Sequence, residues 1–256
     1  CRFAAPLIGQ PESRVVREEK GVFCNQLCER RPQVAFLFPG HGSQYTGMLQ
    51  TLIQHFPPAR QAVSRINTIL DCLGYSRFED VAWHQGDTLG IDVWQTQLAL
   101  LVADVTVLTA LTALGIKPDR VSGHSYGEFP ALFASGAWSF EAAARATRAR
   151  CSAIDASAEA RGIMLSVAAS PDVVERVKDD LSGELHISVR NAPDQIVVAG
   201  EEKAVLNLAD RLKGENVVTR VLAAPRPFHT PLMTPTKAPL AKALESIDIE
   251  PPVVPV

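Results

Sequence analysis

The sequence predicts an α/β protein, a larger body interrupted by a smaller β-α-β-β-α-β unit. Three observations carry that expectation. The continuous apolar run Val34–Phe38 reads as a buried strand of a parallel sheet, because both of its faces are apolar. A sharp turn at Gly123–Gly127 stands between a short strand and a helix of small residues. After Gly162 the rhythm changes to short strands alternating with short helices.

Taken in order, residues 1–32 are charged and weakly periodic, an N-terminal linker ending at Arg30-Arg31-Pro32. Residues 33–161 form the first part of the large body. Pro39-Gly40-His41-Gly42-Ser43 stops the first strand, and a helix follows. A long apolar helix spans Val93–Leu114, with Gly115 as its C-cap and Pro118 just beyond. Asp119–Ser122 is a strand, and a helix runs from Ser139, its N-cap, to Ile154. Residues 162–224 hold the strand Ile163–Ala168, the helix Pro171–Leu181 and the strands Leu185–Val189 and Gln195–Ala199. The helix Lys203–Leu212 and the strand Val217–Leu222 complete the ferredoxin-like order. Residues 225–256 return to the large body through a proline-rich loop and a helix near Ala238–Ser246.

Composition narrows the function classes. Of the 256 residues, 46% are hydrophobic and 21% charged, which excludes a disordered or collagen-like chain. A net charge of −3 leaves no basic footprint for nucleic acid. No apolar run reads as long enough to cross a bilayer, and no charged-then-apolar leader opens the chain, so no membrane partner is expected. Five cysteines (Cys1, Cys24, Cys28, Cys72 and Cys151) are odd in number and thinly spread, which argues for a reducing cytoplasm over a disulfide framework. Cys24 and Cys28 are spaced like metal ligands, but no second Cys/His pair follows at zinc spacing, so no metal is expected. The chain opens on Cys1 rather than Met and stops at Val256 inside an extended-looking segment, which reads as a piece of a longer polypeptide.

The chemistry concentrates at Gly123-His124-Ser125-Tyr126-Gly127, a G-x-S-x-G between strand and helix. Such an elbow lifts the Ser125 hydroxyl clear of the sheet and aims the Tyr126 backbone N–H at an attacked carbonyl. The loop Phe38–Gln44 offers a second oxyanion donor through its N–H groups. A phosphate-binding loop is the rival reading, without a G-K-[ST] or G-x-G-x-x-G to support it. The serine needs a base. His124 is its sequence neighbour, His55 and His84 have polar surroundings, and His186 opens a strand. His229 sits in a loop stiffened by Pro225, Pro227 and Pro231, at the junction of the two subdomains, and is either the base or a structural loop histidine. On the helix 139–154, at about 100° per residue, Phe140, Ala143, Ala144, Thr147, Cys151 and Ile154 share one face. Arg150 lies at its edge, either reaching inward toward a carboxylate or snorkelling to solvent.

Together these pieces resemble the malonyl-CoA:acyl carrier protein transacylases and the acyltransferase domains of type I polyketide and fatty acid synthases. The matching segments are Phe38–Gln44, Gly123–Glu128, Arg150, Asn191-Ala192-Pro193 with Val197–Gly200, and Phe228–Met233, in the family's order from about residue 33 onward. The resemblance implies an α/β-hydrolase-like large subdomain with the ferredoxin-like subdomain inserted, and a Ser125–His229 dyad. It implies an oxyanion hole from the backbone N–H groups of Tyr126 and His41. Arg150 would hold the extender's carboxylate, and Gln97, Asn191 and Phe228 would line the substrate site. It implies no bound cofactor, malonyl-CoA as substrate, acyl carrier protein as partner, and neighbouring synthase domains, the ketosynthase side at the N-terminus. His41 stands where the family usually has Gln, and Tyr126 resembles iterative enediyne and polyunsaturated fatty acid synthases. Phe228 resembles the malonyl-type pattern, whereas Arg226 departs from it, and the chain stops before the family's last strand and helix. A serine esterase or thioesterase would share Ser125 and His229 but has no need of an inward arginine. A catalytically impaired carrier-protein docking domain is the other alternative.

Overall fold

The computed structural model describes residues 17–19, 22–24, 33–84, 88–178, 180–224 and 226–256. The side chains of the expected linker, those of Cys1, Cys24 and Cys28 among them, lie outside these. The chain divides into two compact units, Cys1–Val34 and Ala35–Val256. In the first, strands β1 (Arg17–Glu19) and β2 (Val22–Cys24) pair antiparallel, with Arg17 opposite Cys24 and Glu19 opposite Val22.

The second unit opens with β3 (Ala35–Phe38), which leads into α1 (Gln50–His55) and α2 (Pro57–Leu73). Pro57 sits in the first turn of α2, where its missing N–H costs nothing, and Gly74 closes the helix at a φ of 69°. A π-helical turn over Asp80–His84, which the sequence pattern does not predict, precedes α3 (Val93–Ala113). The Asp92 carboxylate caps α3 by accepting from the Gln95 N–H. At its other end the Gly115 N–H reaches the Thr112 carbonyl at 2.9 Å and the Ile116 N–H the Leu111 carbonyl at 3.0 Å. That is a Schellman closure, so Leu114 is the C-cap and Gly115 the left-handed residue after it.

Two sequence expectations change here. The strand β3 pairs parallel with β4 (Arg120–Gly123), Phe38 opposite Gly123, but it is not buried on both faces. Phe38 is in the core, whereas Leu37 is 77% exposed, because strand neighbours point to opposite sides and these two strands form the whole of this sheet among the described residues. The helix α3, 21 residues long, is long and apolar enough to cross a bilayer, contrary to the expectation that no run was. Here it is a core helix. Leu98, Leu101 and Val102 are fully buried, and α3 packs on α2, on α4 (Glu128–Ala134) and on α5 (Phe140–Ala156). Ser139 caps α5 by accepting from the Ala142 N–H at 3.1 Å.

The smaller subdomain runs β5 (Ile163–Val167), α6 (Pro171–Lys178), β6 (Leu185–Ala192), β7 (Gln195–Gly200), α7 (Glu202–Gly214) and β8 (Thr219–Val221). Its sheet has the order β6-β7-β5-β8 with every neighbouring pair antiparallel. This is the ferredoxin-like arrangement, in which the second strand of each β-α-β half lands beyond a strand of the other half. Alternation assigns the two faces. Leu165, Val167, Ile196 and Val198 pack under α6 and α7 with Val174, Val177, Val205 and Leu208. Met164, Val197 and Ala199 point the other way and join Cys151, Ile154 and Phe228 in a second cluster. That second face seats the small subdomain on α5. A 3-10 turn over Pro231–Thr236 and α8 (Lys237–Leu244) follow, and α8 packs on α5.

Candidate active site

The elbow is built by close backbone approach. A Cβ on Gly127 would stand 2.1 Å from the Phe38 carbonyl oxygen, and one on Gly123 would stand 2.1 Å from the Gly127 carbonyl carbon. Only glycine fits at either place. The His124 N–H donates to the Phe38 carbonyl at 2.9 Å, and the Gly127 N–H to the His124 carbonyl at 2.9 Å. Ser125, held between them, has a φ of +55°, the left-handed conformation that an L side chain rarely takes. The Phe38–Gln44 loop closes on the same spot, since a Cβ on Gly40 would lie 3.4 Å from the Tyr126 backbone nitrogen. That loop is braced internally. The Ser43 hydroxyl donates to the Gly40 carbonyl at 2.8 Å and the Gly42 N–H to Gln44 Oε1 at 2.7 Å.

Across from the elbow, His229 also has a positive φ, 62°, in a turn where the Thr230 hydroxyl donates to the Pro227 carbonyl at 2.7 Å. The Ser125 hydroxyl donates to His229 Nε2 at 2.7 Å. Burial, the Arg150 cation and His124 all lower the His229 pKa below its ordinary value, so the imidazole is neutral and able to accept that proton. The elbow gains a contact from the small subdomain, where Asn191 Oδ1 lies 3.1 Å from His124 Nε2.

Arg150 turns inward, away from the snorkelling alternative. Its Nη1 is buried without a hydrogen-bond partner, and among the described residues no carboxylate is ion-paired with it. Phe228 lies beneath it, the guanidinium carbon 5.5 Å from the ring centroid. Arg150, Phe228 and His229 share a cavity of about 510 Å³ with Ile154, Met233 and Leu240. The His41 ring stands 6.3 Å from that of Phe228, and its Nε2 lies 3.3 Å from the Gly90 carbonyl. Burial lowers its pKa. Gln97 lies deeper, its Oε1 accepting from the Cys151 thiol at 3.3 Å while its Nε2 is buried without a partner. Neither Gln97 nor Asn191 is among the residues lining the cavity.

Sequence reasoning passed over Thr147 and Phe129. The Tyr126 hydroxyl donates to Thr147 Oγ1 at 2.9 Å, and Thr147 in turn donates to the Ala143 carbonyl at 2.7 Å. Phe129 stacks on Tyr126 with ring centroids 5.3 Å apart. The signal for Thr147 was present, as a polar residue on the apolar stripe of α5. Phe129 carried none.

A strained serine at a strand-to-helix elbow, hydrogen-bonded to a neutral histidine, is the arrangement that nucleophilic serine enzymes use. Residues 35–256 match the acyl transferase domain model, and the chain belongs to that family. It is 33% identical over 232 residues to the malonyl CoA-acyl carrier protein transacylase of Bacillus subtilis, covering 88% of this chain and 71% of that protein. It is also 33% identical over 222 residues to mycoketide-CoA synthase of Mycobacterium tuberculosis, covering 87% of this chain but 5% of that protein. Among solved structures it resembles the malonyl-transacylase held in complex with a type II polyketide synthase acyl-carrier protein. There the TM-score is 0.79, with 31% identity over 88% of this chain and 74% of the other. The acyltransferase domain from the second module of the salinomycin polyketide synthase matches at a TM-score of 0.77 and 30% identity, over 90% of this chain and 53% of the other.

Proposed function

We propose that this chain moves a malonyl extender from malonyl-CoA to the phosphopantetheine thiol of acyl carrier protein, within a polyketide or fatty acid synthase. The observation that carries the reading is the pairing of a ready Ser125–His229 hydrogen bond with an inward Arg150 that lacks a protein carboxylate. Ser125 Oγ attacks the thioester carbonyl as His229 Nε2 takes its proton. The oxyanion rests on the backbone N–H groups of Tyr126 and His41. The C–S bond breaks, and His229 returns the proton to the departing CoA thiolate. The carrier-protein thiol then gives its proton to His229 and attacks the malonyl-Ser carbonyl, the C–O bond to Ser125 Oγ breaks, and His229 returns the proton to Ser125 Oγ. Arg150 forks onto the extender's free carboxylate. Phe228 forms the floor beneath it, Gln97 orders the wall behind, and Asn191 steadies the elbow through His124. This chemistry calls on malonyl-CoA as substrate and on no bound cofactor, and unpaired thiols at Cys72 and Cys151 suit a cytoplasmic setting.

Intact-mass spectrometry after brief incubation with malonyl-, methylmalonyl- and acetyl-CoA tests the reading. One malonyl mass should appear and vanish in Ser125→Ala, and Phe228 should make malonyl outcompete methylmalonyl. Removing one partner of a buried charge pair costs on the order of 2–5 kcal/mol. Arg150→Ala should therefore lose roughly 30- to several thousand-fold in malonyl loading, while acetyl loading holds. A malonyl-enzyme that hydrolyses as fast without carrier protein as with it would instead mark a thioesterase.

A further inference from the structure

Arg150 is held by rings. Its guanidinium carbon lies 5.5 Å from the Phe228 centroid, 5.9 Å from that of Tyr126 and 6.0 Å from that of Phe129. Each distance is within the range at which a cation is drawn to an aromatic face. The rings are themselves fixed. Tyr126 is anchored through its hydroxyl to Thr147, and Phe129 is wedged between Tyr126 and Trp138, 5.4 Å away edge-on.

Among the described residues no carboxylate is ion-paired with Arg150. Burial pushes the Cys151 thiol up to about 12, and it pushes the Tyr126 phenol well above its ordinary value, so both stay neutral. Glu128, the carboxylate that feels Arg150 through space, is exposed and forms no ion pair with it among the described residues. A carboxylate in place of these rings would neutralise Arg150 before substrate arrived. Ring faces attract the cation and leave its N–H donors open.

We propose that Phe129 is a positioning residue for extender selection: with Tyr126 and Phe228 it cages the Arg150 guanidinium, so that the substrate carboxylate is the anion left to complete the pair. This rests on the reading of Arg150 as the carboxylate holder. Phe129 is not among the residues that line the cavity of Arg150, Phe228 and His229. It acts through the orientation and charge of Arg150.

The test is the malonyl-to-acetyl ratio of kcat/KM for loading. Phe129→Leu should lower the malonyl value by roughly 3- to 30-fold, the range expected for a desolvated cation–π contact, with acetyl within about 2-fold. Phe129→Tyr should restore the ratio. Because Phe129 is also a packing residue, the sharper series replaces it with tri- and pentafluorophenylalanine, which keep the ring shape while withdrawing charge from its face. The ratio should fall stepwise with fluorination at unchanged melting temperature. A ratio indifferent to fluorination, or equal losses for both substrates in Phe129→Leu, overturns the cage. If in that event Arg150→Ala still loses malonyl loading while acetyl loading holds, the cage alone fails. If Arg150→Ala depresses both substrates equally, the carboxylate reading fails and takes the cage with it.

Discussion

Both members of the Ser125–His229 pair carry a left-handed backbone, at 55° and 62°. Each such residue stores on the order of 1–3 kcal/mol, tolerated only where its surroundings over-determine it. Here the surroundings are the glycine contacts on one side and the proline loop on the other. The same enclosure tunes the proposed base, His229. Burial first, then Arg150 and His124, depress the His229 pKa, so His229 keeps an open lone pair to lower pH than a solvent-exposed histidine does. Protonation on the acid side removes the acceptor for the Ser125 hydroxyl. Single-turnover malonyl loading should therefore show an acid limb with its midpoint below 6.5, the ordinary histidine value. A midpoint at or above that value would contradict the assignment of His229. Ser125 was readable in the sequence because its motif is contiguous and its flanking elements are strongly patterned. Contacts between residues far apart in sequence, such as that of His41 with Gly90 or of Arg150 with Phe228, have no local signature.

At the scale of elements, the elbow, β3 and the Phe38–Gln44 loop act as one piece. Gly127→Ala would force a methyl into the Phe38 carbonyl, and no side-chain movement relieves a backbone clash. It should destabilise the fold by roughly 3 kcal/mol or more, a magnitude reserved for strain at special backbone positions. Chemical denaturation checks this, with loading lost in parallel. A fully stable, active variant would mean that the elbow is looser than these contacts require. Helices were the most legible elements. α3 and α5 match their expected spans to within two residues at each end, because the Ser139 N-cap and Gly115, the left-handed residue just past α3, mark boundaries locally. The π-helical turn at Asp80–His84 and the open face of β3 were not legible. Each depends on what packs nearby, and an apolar run reads alike whether one face or both are covered.

At the scale of the whole molecule, α3 is the spine, and it carries one anomaly. The Asp104 carboxyl is pushed up to about 7 by burial, and its Oδ2 has no hydrogen-bond partner. The folded state therefore binds this proton more tightly than the unfolded chain, where the ordinary value is 3.8. The native state is favoured by Asp104 at low pH, and that advantage drains away as pH rises from about 4 through about 7. Asp104→Asn cannot ionise. It should stabilise the protein by about 2–4 kcal/mol above pH 8, since each tenfold difference in proton affinity between the folded and unfolded chain is worth about 1.4 kcal/mol, and change little near pH 4. Denaturant midpoints at both ends of that range decide it, and an equal effect at both would place the cost in packing rather than in charge.

The sequence by itself determined what is local: the α/β class, the helix caps, the elbow glycines around Ser125 and the β-α-β-β-α-β rhythm after Gly162. These follow from steric limits on the backbone and from apolar periodicity, which act over a few residues. Tertiary structure alone decided what is shared between distant segments. It brought β5 and β7 down on α5 by the strand face that Met164, Val197 and Ala199 present, and so seated Phe228 under Arg150. It turned Arg150, balanced at the edge of its helix wheel, inward among three rings. It made a helix apolar enough for a bilayer into the centre of a core. In each case the residue's own chemistry allowed two outcomes, and the free energy of burying the surface opposite it selected one.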